Sequence, residues 1–160
     1  MNKNAALTAG SIPAPANGYS VPDIDSYAAT LRQVTEPIEG TYRGTIVAAD
    51  ALSGLPPVLR RALTHAIGAT SAPVWRGKSF TQRTGTNLWL GRRHQKAFGG
   101  FTQDINNGVL ILDYNIDDNP RAVRPIRGDL WELGAGTYVG RMRYETNANS
   151  RTLIYFTLER

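Results

Sequence analysis

Cysteine is absent from the chain. Its absence excludes a disulfide framework and any thiolate metal site, and leaves the redox compartment undetermined. Histidine is nearly absent, with only His65 and His94 present. A zinc site would need carboxylates to complete it, and no HxxxH-type spacing occurs. Phosphate-cradling GxGxxG and GxxxxGK loops are missing as well. Together these gaps remove most thiol, metal and nucleotide chemistry, and no cofactor is expected. No apolar run approaches the ~20 residues of a membrane-spanning helix, so no membrane partner is expected. The opening residues MNKNAALTAGSIPAPANG carry one lysine and no continuous apolar core. A signal peptide is therefore not expected, and the cytoplasm is the default location.

What remains is a chain of 160 residues, 41% hydrophobic and 19% charged. That is enough apolar material for one domain with its own core. Net charge is +5, and arginine dominates the basic residues. The arginines are scattered from Arg32 to Arg160, with clusters only at Arg92–Lys96 and at Arg121, Arg124 and Arg127. A nucleic-acid face would concentrate them. A small-molecule ligand with an anionic or oxygen-rich group fits the scatter better, no nucleic acid is expected, and a homodimer is left open.

Residues 1–22 read as an extended arm, broken by Pro13, Pro15 and Pro22. The rest, 23–160, reads as one barrel domain. Ile24, Tyr27, Ala28, Leu31 and Val34 recur at helical spacing behind a capping Asp23 or Asp25, which predicts a helix over 23–36. A second helix is predicted over 55–68, with Val58, Leu59, Ala62, Leu63, Ala66 and Ile67 as its apolar stripe. TYRGTIVAA between them reads as a strand. From Val74 onward seven more strands follow, most joined by short turns such as Asn107-Gly108. The fold class expected is mainly β (α+β): an antiparallel up-and-down β-barrel of about eight strands with two N-terminal helices. Closure removes the sheet edges, and a barrel of this size encloses room for one small ligand. GVLILDY is apolar on both faces, and the N-terminal helices are the expected cover for its outside.

The order of elements and the stretch PVWRGKSF resemble small bacterial lipocalin-like (calycin) barrel proteins, some of which carry Gly-x-Trp-x-Gly at the first barrel strand. Trp75 and Gly77 match, while Pro73 stands where the leading glycine would be. The resemblance spans roughly residues 41–160 and implies a barrel with a ligand cavity. It also implies that Trp75 closes the barrel floor under Arg141 or Arg143, in a cation–π contact. It assigns no reaction.

Several residues are candidates for chemistry, each with a plainer role beside it. Asp113 and Tyr114 end an apolar strand and point to opposite faces. Whichever faces inward puts an acid or a phenol at the barrel mouth; otherwise Asp113 caps the following turn. His94 has the right pKa for acid–base work, or is an exposed loop residue. His65 reads as a helix-surface residue. Arg124 is either an anion anchor at the mouth or structural glue, with Arg127 as the other candidate. Lys78, if inward, would be a base or a Schiff-base nucleophile. Arg76 shares its parity, and two buried cations are costly, so Lys78 is expected outside. Tyr138, Met142 and Tyr144 should line the interior with Ile154, Phe156 and Leu158 by period-two alternation.

The expected function is cofactor-independent proton-transfer chemistry of isomerase or lyase type, on a small hydrophobic or aromatic oxygenated molecule. Asp113, His94 and Tyr114 would carry it, and Arg124, Trp75, Tyr138, Met142 and Tyr144 would bind the substrate. The alternative is a non-catalytic binding or carrier protein for a small hydrophobic ligand. An ionisable pair deep in an apolar pocket would favour the enzyme, and polar groups confined to the rim would favour the carrier.

Overall fold

The structure is a computed structural model that describes residues 21–28, 30–50, 75–90 and 95–160. The first twenty residues of the expected arm, the helix expected over 55–68, and His65 and His94 lie outside the described residues.

Eight strands form a closed barrel in sequence order. They are β1 (Gly40–Ala49), β2 (Trp75–Phe80), β3 (Thr84–Leu90), β4 (Gln95–Asn106), β5 (Val109–Asp113), β6 (Ile126–Gly134), β7 (Thr137–Thr146) and β8 (Asn149–Glu159). Every neighbouring pair is antiparallel, and β1 pairs with β8 to close the ring. The β4–β5 turn is built on Asn107 and Gly108, with φ of 50° and 78°, the left-handed pair that tight hairpins require.

The two ends of the barrel differ. At the base the connections are short turns, and residues 30–39 cross it as a strap. Arg32 bridges to Glu132 of β6, Val34 N–H donates to Gly108 O at 2.7 Å, and Ile38 is held by Gln103 of β4. The buried Gln103 amide donates to Ile38 O at 3.0 Å and to Thr81 O, while its carbonyl accepts from Ile38 N–H at 3.3 Å. Above the strap, Tyr42, Phe80, Phe101 and Leu158 fill the interior with Val34 and Ile38. Tyr42 and Phe80 meet edge to face at 5.6 Å, and Phe80 and Phe101 at 5.4 Å, an arrangement aromatic rings prefer. The longer connections leave from the other end.

The first helix is shorter than its periodicity predicts. α1 spans Val21–Ala28, not 23–36. Thr30 folds back on Tyr27 O through both its N–H and its hydroxyl, and Leu31 N–H on Ala28 O at 3.1 Å; from Arg32 onward the strap's backbone groups bond to the barrel instead of to a helical turn. α1 lies on the outer faces of β1 and β8, where Ile24 joins Ala48, Val139 and Tyr155 in a second core. It does not cover β5 as expected; there Leu110, Leu112 and Tyr114 are fully buried inside, and Val109, Ile111 and Asp113 are only half-buried.

Candidate active site

The upper half of the barrel encloses a cavity of about 350 Å³. Its walls are apolar, contributed by side chains such as Ile46, Trp89, Phe98, Met142 and Phe156. Among the described residues, the polar side chains of Lys78, Asn87 and Tyr114 line it. All three are buried, Lys78 and Tyr114 to within 1% of full burial.

The backbone of β2 explains why a lysine is there. Trp75 pairs with Trp89 and Gly77 with Leu88, so Arg76 is an extra residue with no partner on β3. Such a bulge changes which face the following side chains take. Trp75 and Lys78 therefore both point inward while Arg76 is exposed. The parity rule that put Lys78 outside with Arg76 fails at this point. Gly77 has a φ of +131°, and a Cβ on it would lie 1.9 Å from Tyr42 O. Only glycine fits that conformation and that approach. One strand over, Lys78 pairs with Asn87, so the two side chains meet across the ladder.

A second bulge supplies the rest. Thr86 pairs with Gly100 and Asn87 with Phe98, leaving Gly99 unpaired at φ +76°. Its carbonyl accepts from Asn87 Nδ2 at 3.2 Å. Asn87 is thus oriented: Nδ2 also donates to Tyr114 Oη at 3.2 Å, and Oδ1 accepts from Lys78 Nζ at 2.5 Å and from Trp75 Nε1 at 3.3 Å. Lys78 Nζ donates to Tyr114 Oη at 2.5 Å. Tyr114 is held from behind by Asn119, whose Nδ2 donates to Tyr114 O and Gly100 O, each at 2.7 Å.

Four rings surround the amine. Phe101, Tyr114, Phe156 and Trp75 have centroids 5.1, 5.3, 5.3 and 5.7 Å from Nζ. A desolvated cation gains up to about 2 kcal/mol from such a face. Among the described residues no carboxylate lines the cavity, and burial pushes the Lys78 pKa down to about 7. Burial pushes the Tyr114 phenol up, with the Asn87 hydrogen bond pulling partly back. The site therefore pairs an amine that is part neutral near pH 7 with a phenol that keeps its proton.

The other predicted residues fall elsewhere. Asp113 faces outward, pairs with Arg127 at 2.7 Å and accepts from Asn115 N–H at 2.7 Å; it is the turn cap, not a cavity acid. Arg124 donates to Asn119 O at 3.0 Å and Asp117 O at 2.8 Å, tying the connection together without lining the cavity. Trp75 and Met142 line the cavity, whereas Tyr138 meets Tyr42 edge to face toward the base and Tyr144 is exposed. The Arg expected against Trp75 is instead outside: Arg141 lies over Trp131 at 5.3 Å, and Lys78 takes the place beside Trp75. Asn87, Trp89 and Phe98 were missed. The glycines Gly77, Gly99 and Gly100 inside strand patterns were the available signal.

No family model matches the chain, and no curated protein does. Among solved structures, a protein from Thermomonospora curvata is similar to it, with 19% identity and a TM-score of 0.54. The match covers 89% of this chain and 88% of that one. At that identity the likeness speaks for the fold alone.

Proposed function

We propose that this chain is an enzyme that moves a proton on a small apolar molecule bearing a carbonyl or hydroxyl oxygen. The lipocalin-like reading of the Trp75-x-Gly77 stretch supports a cavity that takes such a guest. The observation that carries the proposal is the contact between Lys78 and Tyr114 at the deepest polar point of an apolar cavity. A carrier needs polar groups where a ligand head group rests; it does not need an amine and a phenol in contact away from solvent. Neutral Lys78 takes a proton from the carbon next to the carbonyl. Tyr114 donates a hydrogen bond to the oxygen as charge builds there, and Asn87 holds both in place. The cavity has room for about a dozen non-hydrogen atoms at ~30 Å³ each, which suits one- or two-ring substrates.

Deuterium exchange tests this. Small aromatic and alicyclic ketones are incubated with the protein in D2O, and label is followed by mass spectrometry. Exchange at the carbon beside the carbonyl should rise with pH through about 7 and fall about a hundredfold or more in Lys78→Met. Quenching of Trp75 fluorescence without exchange would hand the site to the carrier reading.

A further inference from the structure

We propose that Lys78 also forms a covalent imine with apolar aldehydes, so that the site captures a carbonyl compound through its carbonyl carbon. This rests on the proposed function only in using the same cavity and amine. Three features of the geometry support it. First, the hydrogen-bond partners of Nζ among the described residues are neutral, the Asn87 carbonyl and the Tyr114 hydroxyl. A lysine bonded to a carboxylate would be held protonated and could not attack. Second, Tyr114 Oη lies 2.5 Å from Nζ, where it can reach the oxygen of a carbonyl whose carbon is being attacked. Third, the rings of Trp75, Phe101, Tyr114 and Phe156 surround the nitrogen. They favour a cation there, and the protonated imine is a cation that carries an apolar substituent into the apolar cavity.

The step balances without a further reactant. The Nζ lone pair bonds to the carbonyl carbon as Tyr114 donates its proton to the oxygen. The carbinolamine nitrogen then passes a proton back to the Tyr114 oxygen. Expulsion of the hydroxyl as water, with a proton delivered through Tyr114, leaves the C=N bond. The net change is aldehyde plus amine to imine plus water, and protonation of the imine nitrogen gives the cation that the rings favour.

Reductive trapping tests the proposal on the full chain. Cinnamaldehyde and sodium cyanoborohydride are added near pH 7, and adducts are mapped by peptide mass spectrometry. The chain has only two other lysines, Lys3 and Lys96. An unperturbed lysine amine is neutral in fewer than about one molecule per thousand at pH 7, so Lys78 should be trapped about a hundredfold faster or more than either of them. Tyr114→Phe should slow trapping at Lys78 by about tenfold or more while leaving any labelling of Lys3 and Lys96 unchanged. Circular dichroism of the variant shows whether it is folded, and the wild-type map decides the matter without it. Label spread over Lys3, Lys96 and the N-terminus, with none preferred at Lys78, overturns the imine. If ketone exchange persists in that case, the proton-transfer reading stands alone; if exchange is absent while cinnamaldehyde still quenches Trp75, both readings fall and binding remains.

Discussion

Protonating Lys78 in the folded chain puts a charge where burial strips it of water and no carboxylate among the described residues offsets the loss, whereas the unfolded chain pays no such penalty. Its folded pKa lies at about 7, against about 10.4 when unfolded. Between those values the unfolded chain binds a proton that the folded chain does not. Stability should therefore rise as pH rises from about 7 toward 10, and this contribution should be flat below 7. Lys78→Met should remove that slope while losing two hydrogen bonds. Urea midpoints at pH 7 and pH 10 measure it, and a variant with the wild-type slope would place the titration elsewhere. The sequence offers Lys78 as a candidate but puts it outside by parity, and it offers Tyr114 through its place at the end of an apolar strand. Asn87 carried no signal of its own, because an asparagine in TNLWL reads as a polar strand residue until its partner across the ladder is known.

At the scale of elements, the site depends on two irregular strands. Regular alternation predicts the inward positions of β8 and only part of β7: Met142, Phe156 and Leu158 belong to the interior, whereas Tyr144, of the same parity as Met142, is exposed. On β5 it leaves both faces open, and the structure turns Leu110 and Leu112 inward. Alternation failed on β2, where one unpaired residue reverses the parity, and a count of alternate residues cannot see this. Gly77→Ala should test how much the bulge matters: the new Cβ meets backbone on two sides, Tyr42 O and Gly44 N. A loss of about 3 kcal/mol or more is expected in urea unfolding, and a change under about half a kcal/mol would mean the bulge relaxes freely. The helix α1 is tied on by a different device. Asp25 accepts from Arg141 at 2.8 Å, and Arg141 and Arg143 both grip Asp129, whose side chain is 3% exposed. Asp129→Ala leaves two arginines without their shared partner. It should cost about 2–3 kcal/mol, below the range for fully buried pairs because the arginines are a quarter exposed. Thermal unfolding of the variant checks the figure.

Across the whole molecule the interior divides into a packed base and a hollow top. Closure between β1 and β8 makes the ladder continuous, so local opening should follow packing, not strand order. Amides of β4 and β5 beside Phe101 and Leu110 should exchange more slowly than those of β3 and β4 beside Asn87 and Phe98. A cavity ligand should slow only the second set, and hydrogen–deuterium exchange mapped by peptide tests both statements. The barrel itself was legible because turn residues and apolar runs repeat along the chain. The strap was not, since Leu31 and Val34 continue the helical spacing of α1, yet Leu31 stays with the outer cluster while Val34 and Ile38 are buried under the barrel. That strap, locked by Gln103, shuts the chamber at the base among the described residues. A guest that cannot pass the base leaves on the side by which it came. A reaction product would therefore stand in the path of the next substrate, inhibition by product should be competitive, and a molecule with a tail too long for the chamber would leave that tail hanging outside.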